Sequence, residues 1–245
     1  IQFSHDANNA NPGMSLNYPH GGAGSPGGCC GFFQPSNELA NSYKVNANGL
    51  PFLDKSYRNP PFVAERNTGQ GDLSVNGEMP VDPRLDFAVG RFGIPYKDWG
   101  LPLNNWVRDV ANGGFYMPKK HVYTKAEGAS DLGSGGINEG WAPGSAINYQ
   151  YLSLRDIILL YAECLANDNQ LSEAMGYVNQ IRTRAAHPDN IVYLANGTPA
   201  ANYLVANYPA SHAAFSDKDL CVEAIRMERK LELAMEGHRW FDLTR

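Results

Sequence analysis

The hydrophobic pattern changes near the middle of the chain. From Tyr151 onward, apolar residues recur at the three-to-four-residue spacing of amphipathic helices. Leu154, Ile157, Ile158, Tyr161 and Leu165 form one such stripe, predicted to be buried, and Asn167-Asp168-Asn169 breaks it. A second helix follows with Ser172 as its predicted cap. Ala174, Val178, Ile181 and Ala185 share its inner face, and Pro188 ends it. Helices separated by so short a break predict an antiparallel αα-hairpin, the unit of tetratricopeptide-like solenoids. A third helix is predicted from about Asp217 to Glu236, capped by Ser216. Leu220, Ala224, Met227, Leu231 and Met235 form its apolar face, and Gly237 allows a left-handed exit. Between the second and third helices, residues 189–215 carry Gly197, Pro199 and Pro209 and read as a loop or insertion.

The first 150 residues have no such period. All of the 25 glycines except Gly176, Gly197 and Gly237, and all of the 16 prolines except Pro188, Pro199 and Pro209, lie before residue 151. The Gly-rich run over residues 21–28 holds no regular structure. One short helix fits, near 36–45: Ser36 caps it, and Leu39, Ala40 and Tyr43 lie on one side. The rest of 1–150 reads as long loops with short strands, and loops that long in a compact domain are usually functional. The predicted fold is therefore mainly α: an αα-hairpin and a packed C-terminal helix over 151–245, with a large loop-rich portion over 1–150.

Composition narrows the class. A chain of 245 residues, 43% hydrophobic and 18% charged, has the balance of a globular protein. Its longest nearly unbroken apolar run, Ile157 to Ala162, is too short to cross a bilayer. A formal net charge of −5 argues against a nucleic-acid partner. The cysteines support no disulfide framework or metal motif: Cys29 and Cys30 are adjacent, and Cys164 and Cys221 sit in helical patterns as small buried residues. The histidines are scattered without a two-His helical pair, and neither a nucleophile elbow nor a phosphate-binding loop is present. No catalytic group, metal site or cofactor is expected.

Two candidate constellations remain. Glu228, Glu232 and Glu236 recur every four residues and line one helix face. As an acid/base pair, two of them would make a glycoside hydrolase. The favoured reading is structural, because like charges at that spacing repel and call for cations. Arg155, Arg182 and Arg184, with Arg226 and Arg229 nearby, are the expected partners. The second constellation is aromatic. Tyr96, Trp99 and Trp106 cluster in a Gly/Pro-rich segment, with Tyr57 and Trp141 in other loops. Arg91, Asp98, Asn104, Asn105 and Arg108 lie beside them as polar neighbours. Sugars offer apolar C–H faces and polar edges, so exposed rings flanked by such groups suit a glycan. The competing expectation is that these rings fill the core beneath the loops.

Several segments carry a family resemblance. Tyr151 to Glu163, Glu173-Ala174 and Asn179-Gln180-Ile181-Arg182-Thr183-Arg184-Ala185 resemble helices of SusD/RagB proteins. Glu228 to Leu243, with Glu236-Gly237-His238-Arg239-Trp240-Phe241-Asp242 within it, resembles their C-terminal signature. Pro35 to Leu39, Asp82-Pro83-Arg84-Leu85-Asp86 and Gly93 to Gly100 also fit, in the family's order. The resemblance implies a SusD-like helical fold and a non-catalytic lipoprotein of the outer membrane's cell surface. Such a protein captures an oligosaccharide or polysaccharide of the starch type and delivers it to a SusC-like, TonB-dependent transporter. The carbohydrate contacts expected from the loop aromatics and their polar neighbours are Trp99, Trp106, Tyr96, Tyr57, Trp141, Arg91 and Asn104, while Trp240, within the family-like signature, is expected to be structural. The resemblance also implies that an N-terminal helical half precedes Ile1, so that the lipidated cysteine and membrane attachment lie outside this sequence. A helical-repeat scaffold that binds protein is the alternative reading, and a glycoside hydrolase using Glu228 and Glu232 a further one.

Overall fold

The computed structural model describes residues 2–3, 17–21, 24–26, 30–62, 79–128, 138–139, 142–143, 147 and 149–244. Short helices α1 (Asn37–Asn41), α2 (Leu85–Ala88), α3 (Val110–Gly113) and α4 (Lys125–Gly128) punctuate the loops. The helical portion is α5 (Leu154–Asn167), α6 (Leu171–Ala185), α7 (Lys218–Glu232) and α8 (Arg239–Thr244). Two-residue strands pair antiparallel: β1 (Gln2–Phe3) with β6 (Tyr149–Gln150), β2 (Val89–Gly90) with β3 (Met117–Pro118), and β4 (Asn138–Glu139) with β5 (Ala142–Pro143). The mainly helical class read from the pattern is the class found. Residues 168–170 join α5 to α6 as a hairpin, and α7 packs against both.

Helix ends are set by side-chain caps, not all of them where spacing put them. Ser36 caps α1 as expected, its hydroxyl accepting the N–H of Leu39 at 3.2 Å. Asp217, not Ser216, caps α7, and its carboxylate accepts the N–H groups of Asp219 at 2.9 Å and Leu220 at 3.1 Å. Asp217→Ala should therefore cost about 1 kcal/mol in chemical denaturation, while Ser216→Ala should cost far less. Ser172 caps nothing: α6 already begins at Leu171, which leaves Ser172 in the first turn. Helix α7 stops at Glu232, short of Glu236. The chain then leaves through a turn in which Met235 (φ 64°) and Gly237 (φ 84°) are both left-handed.

The buried face of α5 is not the predicted one. Leu159, Ala162, Leu165 and Ala166 face inward with Asp156 and Glu163, whereas Leu154, Ile157 and Tyr161 are exposed. Helical spacing supplied two apolar faces. The small Ala162 and Ala166 let α6 and α7 approach closely, and Asp156 reaches Arg229 only if its side is turned inward. Tyr161 rests edge-on against Tyr177 at 5.1 Å. On α6, Ala174, Val178, Ile181 and Ala185 are buried as read. On α7, Ala224, Met227 and Leu231 are buried but Leu220 is exposed. Cys221 is buried, Cys164 is exposed, and Cys30 is disulfide-bonded, a bond the spacing did not suggest.

The loop-rich portion is fastened onto the helices by a shared core. Tyr43, Val81, Leu85 and Val89 pack in one cluster with Met227, Leu231 and Ala234. Each of the valine, leucine and methionine side chains contributes about 1.5–3 kcal/mol by leaving water. Tyr43 Oη donates to Leu231 O at 2.8 Å, and Lys230 Nζ reaches Glu38 at 3.2 Å. A second cluster lies inside the α5–α6–α7 unit. A third, rich in aromatic rings, gathers Tyr18, Phe92, Tyr96, Trp106, Met117 and Tyr123 beneath the loops.

Candidate functional site

Glu228, Glu232 and Glu236 are all buried, and each is held by cations from distant parts of the chain. Glu228 accepts from Arg84 at 2.5 Å and Arg182 at 2.9 Å. Glu232 accepts from Arg84 at 3.1 Å, lies 3.4 Å from Arg155, and is also bound by Arg184. Glu236 joins Lys120 and Arg155, each at 2.5 Å. The expected Arg155, Arg182 and Arg184 are in place. Arg226 and Arg229 are not partners of this stripe: Arg226 pairs with Glu163 at 3.2 Å, and Arg229 with Asp156 at 2.7 Å and Asp242 at 2.9 Å. Burial pushes the Glu236 carboxyl up, but Lys120 and Arg155 overcome that and hold it below the usual carboxylate range. A glycosidase acid must reach a glycosidic oxygen. Glu228 is sealed between Arg84 and Arg182, and Glu232, which lines a cavity, is held there as an ion-paired carboxylate by Arg84, Arg155 and Arg184.

The predicted aromatic residues are distributed differently from an open platform. Tyr96 and Trp106 lie inside the third cluster, edge to face with centroids 5.6 Å apart, and Tyr96 Oη donates to Pro118 O. Gly90 makes this possible, because a Cβ there would sit 2.7 Å from the Tyr96 ring and 2.5 Å from Met117 Cγ. Tyr57 is buried with its hydroxyl donating to Glu38 at 2.7 Å, and Arg91 is sealed against Asp86 at 2.7 Å. Among these four, no ring or guanidinium face is open to solvent. Trp99 is half-buried, tilted on Tyr123 at 6.1 Å, and its Nε1 donates to Tyr123 O at 3.0 Å. Asn104 is also half-buried, at the start of a 3-10 turn. Trp141 lies outside the described residues. Asp98 caps α4 through the N–H groups of Lys125 and Ala126. Trp240, expected to pack, is 70% exposed among the described residues.

What the structure does bring together is a pair of adjoining cavities. One, of about 190 Å³, is walled by Tyr18, Phe33, His121 and Tyr149, with Asn17 and Lys120 at its polar edge. Phe33 is substantially exposed, and His121 stacks on Tyr149 with centroids 4.9 Å apart. The other, of about 270 Å³, is lined by Arg84, Lys97, Lys119, Arg155 and Arg184, with Glu232 and Phe87. Lys120 and His121 line both. His121 Nε2 is buried without a hydrogen-bond partner among the described residues. Burial and the nearby Lys120, Lys97 and Arg155 charges, only partly offset by Glu236, depress its imidazole to about 4. Phe33, His121 and Tyr149 were missed from sequence because they come from distant parts of the chain, two from loops and Tyr149 from β6. The available signal was weak: Phe32-Phe33 beside the family-like Pro35-Ser36, and Tyr149 and Tyr151 at the edge of the first helix.

Among the described residues, no helix is long and apolar enough to cross a membrane. Nor does any group of three His, Cys, Asp or Glu among them converge as metal ligands would.

Comparison with known proteins gives consistent results. A family model described as the SusD family matches residues 1–245. The SusD-like protein P38 of Formosa agariphila is 38% identical over 90 residues, covering 37% of this chain and 15% of its own length. A SusD-like protein of Bacteroides fragilis superposes over 99% of this chain and 42% of its own, with a TM-score of 0.53 at 17% identity. A SusD superfamily protein of Bacteroides vulgatus matches 82% of this chain and 35% of its own, with a TM-score of 0.43 at 20% identity. The chain thus spans less than half the length of each of these relatives.

Proposed function

The chain belongs to the SusD family, and from that membership we propose that it forms part of a cell-surface, lipid-anchored protein that captures glycan without cleaving it. It then hands the glycan to a SusC-like, TonB-dependent transporter in the outer membrane. The observation that carries this reading is the aromatic-walled cavity at Phe33, His121 and Tyr149. Its aromatic side chains, with Asn17 and Lys120 beside them, match a sugar's apolar face and hydroxyl rim. A half-exposed Trp99, with Asn104 near it in sequence, supplies a second platform of the same chemistry.

Affinity gel electrophoresis against a polysaccharide panel, with reducing-end release followed in parallel, tests the proposal. Phe33→Ala and Tyr149→Ala should each weaken retention about tenfold, or about 1.4 kcal/mol for a lost stacking surface. Trp99→Ala should weaken it less, and no reducing ends should appear. Release of product would make the protein a hydrolase. Undiminished retention in all three variants would remove the platform from these loops. Retention of no glycan would transfer the function to the exposed Leu154, Ile157 and Tyr161 stripe, the face a protein-binding scaffold would use.

A further inference from the structure

The second cavity has a charge imbalance that packing does not require. Among the described residues, six cations line it, Arg84, Lys97, Lys119, Lys120, Arg155 and Arg184, and Glu232 is the one carboxylate. Some of that charge is already matched: Arg84 by Asp82, Glu228 and Glu232, Arg184 by Glu232, and Arg155 and Lys120 by Glu236. Lys97 and Lys119 are different, since each ammonium donates to a backbone carbonyl and, among the described residues, neither donates to a carboxylate. Lys97 bonds Val122 O, and Lys119 bonds Pro95 O at 2.9 Å. Asp98 and Glu127 act on Lys97, and Asp86 acts on Lys119, only through space.

The cations press on one another as a result. Burial, then repulsion from Lys97 and Arg91, brings the Lys119 ammonium down to about 8 against the pull of Asp86. Lys120 is lowered by burial and by Arg155 despite Glu236. A chain of formal net charge −5 has therefore gathered six cations against a single carboxylate, among the described residues, along the lining of one recess. Lys97 is exposed at the recess, whereas Lys119 is buried, and a buried charge is costly unless something pairs with it. Charge-assisted hydrogen bonds to an anionic oxygen would supply that pairing.

Lys120 and His121 form the wall between this recess and the aromatic cavity. We propose that the recess is an anion subsite, and that the captured glycan is acidic. One sugar ring rests on Phe33 and Tyr149 while a carboxylate or sulfate carried by the same or the next residue enters between Lys97, Lys119 and Arg184. This inference rests on the glycan-capture reading and deepens it by naming the substrate class. Exposed Phe87 at the mouth of the recess gives the neighbouring sugar an apolar surface.

The test uses the intact protein with two acidic probes, polygalacturonate for carboxylate and a sulfated galactan for sulfate. Each is paired with its neutralised form, carboxyl-reduced or desulfated. At least one acidic probe should be retained about tenfold more tightly than its neutral counterpart. Lys97→Gln should remove most of that preference and Lys97→Arg should keep it. Arg184→Gln, at a largely exposed guanidinium, provides a second variant should Lys97→Gln fold poorly. Lys218→Gln, at an exposed lysine on α7, should change nothing. Equal retention of the charged and neutralised forms overturns the anion subsite and leaves glycan capture standing. An equal loss in Lys218→Gln also overturns it, by showing diffuse attraction. Retention of no polysaccharide of either kind overturns both readings.

Discussion

Glu228→Ala should destabilise the protein by about 3–5 kcal/mol, enough to leave much of it unfolded at ambient temperature. The Glu228 carboxylate is wholly out of solvent, with Arg84 at 2.5 Å on one oxygen and Arg182 at 2.9 Å on the other. Removing it leaves two buried guanidinium groups facing a void. Arg84 keeps Asp82 and Glu232, but Arg182 keeps no carboxylate among the described residues, with the carbonyls of Gly49 and Ala206 and the face of Tyr208 left to it. The penalty comes from the charge left behind, not from the lost attraction, so Glu228→Gln should cost less than Glu228→Ala. By contrast, Arg58→Ala breaks a pair with Glu38 in which both side chains are well exposed, and should cost less than about 1 kcal/mol. Urea denaturation of the three variants separates these cases. A Glu228→Ala loss no larger than that of Arg58→Ala would mean that water enters the cluster.

Stability should also fall steeply between pH 6.5 and about 4, and His121→Asn should flatten that slope. The folded imidazole is held neutral down to about 4, whereas an unfolded histidine takes up its proton near its ordinary value of 6.5. In that window the unfolded chain binds the additional proton, so stability is complete above 6.5 and is lost as pH drops toward 4. At about 1.4 kcal/mol per unit, the loss reaches roughly 3 kcal/mol. Asparagine suits the position, because His121 has a left-handed backbone (φ 62°) that asparagine tolerates. Below that window the carboxylates take over. Burial raises Asp82 and Asp86, but Arg84 and Arg91 hold both below their ordinary values. Glu38 is held at about 2, chiefly by its hydrogen bond from Arg58. Their contributions are present above ordinary carboxylate values and disappear as pH drops through the lowered ones. Thermal unfolding followed by circular dichroism across pH checks both phases. A parallel slope in His121→Asn would assign the first phase to another group.

What was legible in the sequence was local. The α5–α6 hairpin, the inner face of α6 and the Ser36 cap follow from spacing within a few turns of chain, as does the need of Glu228 and Glu232 for arginines on neighbouring helices. Arg84 and Lys120 were not legible as partners, since they arrive from 144 and 116 residues away. Spacing also could not choose between the two apolar faces of α5. That choice fell to alanines that admit neighbouring helices and to an aspartate that needed Arg229. The loop aromatics were ambiguous for the same reason. Trp106 and Trp99 sit seven positions apart in similar company, yet one is sealed beneath Tyr96 and the other half-open. Trp106 packs edge-on to Tyr96, whose ring Gly90 admits by lacking a side chain, and no local pattern of aromatic residues reveals that contact. The cavity walls come from separate segments and were invisible until those segments were folded together.

The hydrogen bond from Tyr43 to Leu231 closes across 188 residues, and the Glu38–Lys230 pair across 192. On a translating ribosome, moving at about 5–20 residues per second, Tyr43 therefore waits roughly 10–40 s for its acceptor to be made. Over that interval Val81, Leu85 and Val89 have synthesised neighbours but no α7 to cover them. Folding governed by contacts this distant is slow, because the loop must be closed before any of its reward is felt. The glycine-rich residues 1–150 are thus late-folding although they are made before α7. It depends on whatever shields nascent apolar segments until the last long helix is complete.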